Sequence, residues 1–190
     1  MNPIFEAAHE VERACRANGF SFCFIGGLAV QRWGEPRMTA DVDLTLITGF
    51  GGEEPFVDAL LSTFRGRLPD TRNFALDNRT LLLLAANGTP VDVSLGAMPF
   101  EERAVARSSR FDVGNGVLLT TCSAEDLVVH KSFAAREKDW LDVRGIIVRQ
   151  ADRLDRRLIW DELRPLLDLK EDPRIEARLT ELLAIGTSRP

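Results

Sequence analysis

Between Asp41 and Ile47 the chain reads Asp-Val-Asp-Leu-Thr-Leu-Ile, and few folds accommodate such a run. Its apolar residues call for a buried strand, and on a strand residues two apart share a face. Val42, Leu44 and Leu46 therefore point one way, while Asp41 and Asp43 point together the other way. Two carboxylates side by side on a buried strand repel each other, and placing them there costs stability unless a cation sits between them. A third carboxylate recurs in the same setting, since Asp92 lies between Val91 and Val93 in another predicted strand. Three acids converging from two strands make an oxygen-only site suited to Mg²⁺ or Mn²⁺ rather than zinc. Two such ions activate an attacking hydroxyl and stabilise the leaving oxygen of a phosphoryl displacement.

Gly26-Gly27 precedes the acidic strand and sits between a predicted strand and a predicted helix. Glycines there let the backbone come close to a ligand, and the free N–H groups of a helix start favour phosphate oxygens. Beside a two-aspartate strand, phosphate and metal are complementary halves of one substrate, a nucleoside triphosphate (NTP).

The surrounding pattern is mixed. Asn2 and Pro3 open a helix that Gly19 ends, and Phe20 to Ile25 reads as a buried strand. Leu28 to Trp33 reads as a short helix, Asp41 to Ile47 as a strand, and Pro55 starts a further helix. Leu81–Ala86 and Val91–Leu95 pair through the turn Asn87-Gly88-Thr89-Pro90. A short helix over Pro99–Arg107 and a strand at Val117–Thr120 follow. From Ser123, whose Ser-Ala-Glu-Asp start resembles a capping box, the pattern turns helical, with breaks expected at Gly145, Pro165, Pro173 and Gly186. The expected fold class is α+β (mixed α/β): a twisted mixed sheet flanked by helices over residues 1–121, then a helical unit over 122–190.

Ile25-Gly26-Gly27, thirteen intervening residues, then Asp41-Val42-Asp43-Leu44 resembles the signature of the DNA polymerase beta-like nucleotidyltransferase superfamily. Val91-Asp92-Val93 looks like its third carboxylate motif, and Arg37-Met38-Thr39-Ala40-Asp41-Val42-Asp43 matches the Arg-x-Thr-x-Asp-x-Asp form of minimal bacterial members. Glu125-Asp126-Leu127, Lys131, Arg136, Lys138-Asp139 and Asp142 resemble the helical motif of the AbiEii-type toxin and related minimal nucleotidyltransferases. The resemblance implies metal-dependent transfer of a nucleoside monophosphate from an NTP to an acceptor hydroxyl, with release of pyrophosphate. By the same resemblance Asp41, Asp43 and Asp92 are the catalytic and metal-holding residues, and Gly26, Gly27, Arg37 and Lys131 bind the nucleotide. It further implies a toxin-like member of a toxin–antitoxin pair, with a tRNA end or a protein as acceptor and a cognate antitoxin as partner. Two other readings stay open: a small-molecule adenylyltransferase of the aminoglycoside type, and a non-catalytic nucleotide-binding partner protein. Lys131 also fits a surface lysine on an amphipathic helix, Arg37 a brace of its loop, and Arg136 with Asp142 a solvated charged face.

Charge and composition narrow the setting. The net charge is −5, from 24 Lys+Arg against 29 Asp+Glu, so the whole chain is not a cation in search of a polyanion. Residues 1–60 alone hold 4 basic and 9 acidic side chains, which accounts for the imbalance. The net acidic charge slightly favours a cationic small molecule among the acceptors, and the missing drug-specific pattern argues against it. Arg149, Arg153, Arg156 and Arg157 are interleaved with Asp152 and Asp155, which reads as a salt-bridged face, with an Asp152–Arg156 pair, rather than an RNA contact. The apolar runs are too short to span a membrane, the N-terminus lacks the pattern of a secretory signal, and three cysteines without ligand spacing suit reduced thiols. A cytoplasmic protein is expected.

Overall fold

The computed structural model describes residues 2–170 and 172–185. These form two compact units that are not contiguous in sequence. The first runs up to Leu28 and resumes over Met38–Cys122; the second takes Ala29–Arg37 and the chain from Ser123 on.

The first unit opens with α1 (Pro3–Ala17), whose Asn2 side chain accepts from the Ile4 N–H at 2.9 Å. Pro3 sits at the first helical position, where its missing N–H costs nothing. β1 (Phe22–Phe24), α2 (Gly26–Trp33) and β2 (Val42–Ile47) follow, then α3 (Glu54–Leu61), β3 (Arg65–Gly66) and α4 (Thr71–Asn78). β4 (Thr80–Leu84), β5 (Pro90–Gly96), α5 (Pro99–Ala106), β6 (Ser109–Asp112) and β7 (Leu118–Thr121) complete it. Among the described residues the strands make one seven-stranded mixed sheet in the order β3-β4-β5-β2-β1-β7-β6. The central pair, β2 and β5, is parallel, while β4 joins β5 as the expected antiparallel hairpin.

The expected alternation holds where it matters most. Val42, Leu44 and Leu46 of β2 and Val91, Val93 and Leu95 of β5 are all buried, whereas Asp43 and Asp92 are half-buried. Each such Val or Leu stabilises the fold by about 1.5–3 kcal/mol. Ala7, Ala8, Val11 and Cys15 carry the apolar stripe of α1 into this core. Glu12 on the same helix is also buried: its carboxylate accepts from the Thr120 N–H at 2.9 Å and from Arg110 at 2.7 Å, tying α1 to β6 and β7. The cysteines Cys15, Cys23 and Cys122 are buried and free. Burial, with the Glu12 charge adding, pushes the Cys15 thiol up to about 12.

The second unit holds α6 (Ala124–Ala134), α7 (Glu137–Gln150), a 3-10 turn (Ala151–Arg153), α8 (Arg156–Leu167) and α9 (Pro173–Ile185). Ser123 caps α6, accepting from the Asp126 N–H at 3.0 Å, so the sequence start signal holds. The stop signals hold less well. Gly145 lies inside α7, where residue 35 passes close enough to put an added Cβ 3.4 Å from the Glu35 backbone nitrogen. Pro165 lies within the last turn of α8, Pro173 opens α9, and Gly186 falls outside the described residues. The chain instead reverses at Ala135 and Ala151, with φ of 57° and 49°. The 3-10 turn also separates Asp152 from Arg156, so the expected i,i+4 pair is not formed among the described residues; Arg157 pairs with Asp161 at 3.5 Å. No described helix is long and apolar enough to cross a membrane.

Candidate active site

The parallel pairing of β2 with β5 sets Asp43 opposite Asp92. Asp41, immediately before β2, brings a third carboxylate, and one oxygen from each of the three lies within 4.8 Å of the others. All three side chains are half-buried. Ligand oxygens sit about 2.1 Å from Mg²⁺, so opposite ones are about 4.2 Å apart. The carboxylates have thus converged to nearly that spacing. The donor set is oxygen alone, which suits a hard divalent cation.

Neighbouring groups hold these carboxylates in place. The Thr39 hydroxyl donates to Asp41 Oδ1 at 2.9 Å. Arg67 Nη2 lies 2.7 Å from Asp92 Oδ1, off the N–H direction. That oxygen is fully buried and accepts no aligned hydrogen bond, although the Asp92 side chain as a whole is 33% exposed. Three carboxylate oxygens converged within 4.8 Å concentrate negative charge that a divalent cation would balance. The residues present therefore fit a divalent cation.

Gly26 and Gly27 form the first turn of α2, directly behind this cluster. The Ile25 N–H donates to the Asp43 carbonyl at 2.9 Å and lashes the strand end before the glycines to β2. Gly26 has φ of +57°, and a Cβ there would stand 1.9 Å from Asp43 Oδ2. At Gly27 a Cβ would stand 2.3 Å from the Thr39 hydroxyl. The pair thus leaves room for an acid and for the threonine that orients another acid.

Arg37 and Lys131 belong to the second unit, in a network of alternating charge. Arg37 grips Asp142 with two nitrogens, Nε to Oδ1 at 2.7 Å and Nη2 to Oδ2 at 2.8 Å. Lys131 Nζ lies 2.8 Å from Asp142 Oδ2 and 3.0 Å from Asp139 Oδ1, and Arg136 closes the chain on Asp139. Lys131 is 6% exposed, Asp139 0% and Asp142 5%, so neither a surface lysine nor a solvated acidic face describes them. Burial pushes both carboxyls up, and the hydrogen bonds and charges of Lys131 with Arg136 or Arg37 more than reverse it. Both titrate below the usual aspartate value.

Of the seven residues named from the sequence, the structure brings Asp41, Asp43, Asp92, Gly26 and Gly27 together in the first unit. Arg37 and Lys131 meet through Asp142 in the second. Two neighbours were not singled out. Thr39 had a signal, since it stands two residues before Asp41 in the motif. Arg67 had none, because it reaches Asp92 only through the strand order.

The mixed sheet flanked by helices has a nucleotidyltransferase-like fold, as its likeness to a solved structure shows. A crystal structure of an antigenic nucleotidyltransferase-like protein from Paracoccidioides brasiliensis resembles it with a TM-score of 0.56 and 18% identity, covering 93% of this chain and 92% of that one. Two structures of the antibiotic-resistance factor ANT(2'')-Ia align more loosely. The crystal complex with adenylyl-2''-tobramycin has a TM-score of 0.45 and 16% identity over 95% of this chain and 97% of that one. The solution structure has a TM-score of 0.42 and 14% identity over 95% and 91%. No protein-family model and no curated protein matches the sequence.

Proposed function

We propose that this chain is a metal-dependent nucleotidyltransferase that moves a nucleoside monophosphate from an NTP to an acceptor hydroxyl. The observation that carries the proposal is the meeting of Asp41, Asp43 and Asp92 within 4.8 Å, packed against the Gly26-Gly27 turn. Asp41 and Asp43 would hold Mg²⁺ or Mn²⁺, with Asp92 as the third ligand. Such an ion, when bound, lowers the barrier by activating the hydroxyl and stabilising the leaving oxygen. Asp92 would take the proton of the acceptor hydroxyl as its oxygen bonds to the α-phosphorus. The bond from that phosphorus to the bridging oxygen then breaks, and pyrophosphate leaves. The backbone N–H groups of Gly26 and Gly27 would bind phosphate oxygens at the start of α2. Arg37 and Lys131 are assigned to the triphosphate on the strength of their motif, as members of a preset cationic network that Asp142 holds in place.

The AbiEii-type resemblance supports a toxin-like enzyme with a tRNA end or a protein as acceptor and a cognate antitoxin as its partner. The net charge of −5 slightly favours the second reading, a cationic small molecule of the aminoglycoside type, against which stands the lack of a drug-specific pattern. One assay tests both: α-labelled NTPs with Mg²⁺ against total RNA, protein extract and aminoglycosides in parallel. Label is expected in one acceptor class with the wild type. Asp92→Asn should keep NTP affinity and lose transfer by roughly a hundredfold or more. Undiminished transfer by Asp92→Asn contradicts the assignment of the third carboxylate. NTP binding with no transfer to any class favours a non-catalytic nucleotide-binding protein.

A further inference from the structure

Arg67 stands in one cross-sheet row with the two facing aspartates. Its N–H donates to the Leu82 carbonyl at 2.9 Å, Leu82 pairs with Asp92 across β4 and β5, and Asp92 pairs with Asp43 across β5 and β2. The row places a guanidinium just past the end of β3 in line with carboxylates on β5 and β2. β3 is an edge strand of two residues, and just past it the Thr71 hydroxyl bonds both the N–H and the carbonyl of Leu68, at 2.9 and 2.8 Å. Gly66 leaves that hydroxyl room, since a Cβ there would stand 2.5 Å from it. The segment bearing Arg67 is therefore anchored on both sides of the residue. Its side chain reaches over Leu82 to bring Nη2 2.7 Å from the buried Oδ1 of Asp92.

We infer that Arg67 is a resident counter-cation that competes with the metal for Asp92, so that the third carboxylate joins the metal only when Arg67 is displaced. The inference rests on the metal-site reading above and extends it to a residue that reading does not use. Two cations cannot share one carboxylate oxygen without repulsion, which at separations of about 5 Å near a protein surface is strong enough to change affinity by tenfold or more. Arg67 meets Asp92 as an ion pair without an aligned hydrogen bond, so charge is what links them. The Arg67 side chain is 30% exposed and ends in a planar fork of donors, so once released it is free to meet an anion such as a substrate phosphate. Arg67 is thus a positioning residue that couples metal loading to the arrival of negative charge.

The test is Mn²⁺ binding followed by electron paramagnetic resonance, without nucleotide, on wild type, Arg67→Ala, Arg67→Lys and Asp43→Asn. Arg67→Ala is expected to bind Mn²⁺ roughly tenfold more tightly than wild type, and Arg67→Lys, which keeps the charge, to stay near wild type. A gain of affinity is not what loss of a merely structural contact produces. Equal or weaker binding by Arg67→Ala, with Asp43→Asn still losing Mn²⁺, overturns the role of Arg67 and leaves the metal site standing. Failure of wild type and Arg67→Ala alike to bind Mn²⁺ overturns the metal site and this inference together.

Discussion

In the second unit each clustered aspartate touches two cations: Asp142 meets Arg37 and Lys131, and Asp139 meets Lys131 and Arg136. In the first unit acid stands beside acid, with Asp43 opposite Asp92 on adjacent strands and Asp41 closing the group, and Arg67 lies 2.7 Å from Asp92 at its margin. Both clusters withdraw carboxylates from water, fully in the second unit and by half in the first, yet by different rules. Alternating charges offset the desolvation that each partner suffers, which makes the second cluster a structural clasp. Carboxylates packed on each other raise the energy of the folded chain, and an added cation relieves it. The same residue type thus holds one unit together and leaves the other poised for an ion.

The largest expected effect tests the clasp. Asp142→Ala leaves Arg37 without its bidentate partner and Lys131 buried with half its pairing, and should cost about 3 kcal/mol in urea unfolding. A solvated charge would cost less than about 0.5 kcal/mol, and that result would erase the distinction between the clusters. Next comes the glycine wedge. Gly26→Ala should cost about 1–2 kcal/mol for the left-handed backbone. It should also push Asp43 aside and blunt any stabilisation by metal. Full metal response in Gly26→Ala would reduce the glycine to a turn former. Acid gives the smallest and most graded effect. Asp139 and Asp142 titrate below the ordinary value of 3.8, so their contribution is present above it and drains away as pH falls through their lower folded values. Circular dichroism on acidification should therefore show helix loss beginning below about pH 4 in wild type, and at higher pH in Arg136→Ala, which has lost one of the charges holding Asp139 down.

Much of the first unit was legible because burial leaves period-two and helical marks on sequence. Val42-Leu44-Leu46, Val91-Val93-Leu95 and the stripe of α1 each gave their element away. Edge elements left no such mark: β3 has two residues, β6 reads Ser-Arg-Phe-Asp with no buried side chain, and α4 buries only Thr71 and Ala75. In the helical unit the break at Pro173 was readable, but Gly145 misled because it serves a close approach by residue 35, and two further breaks fall on alanines with positive φ. The aspartates of the candidate site were readable from spacing. The burial of Lys131, Asp139 and Asp142 was not, since periodicity says which face a residue occupies but not which charge it meets there. Arg67 lay beyond reach for a similar reason, as its link to Asp92 exists only through strand order.

The most direct test of the account is the thermal midpoint of wild type and Asp43→Asn with Mg²⁺, NTP, both or neither. A ligand at a hundred times its dissociation constant stabilises by about 2.7 kcal/mol, a rise of several degrees for a chain this size. The account predicts that rise for wild type with Mg²⁺ and NTP together, and loss of most of it in an Asp43→Asn variant whose midpoint without ligand is not lowered. A wild type that shows no shift at saturating metal and nucleotide, or an Asp43→Asn variant that shifts as far, would contradict it.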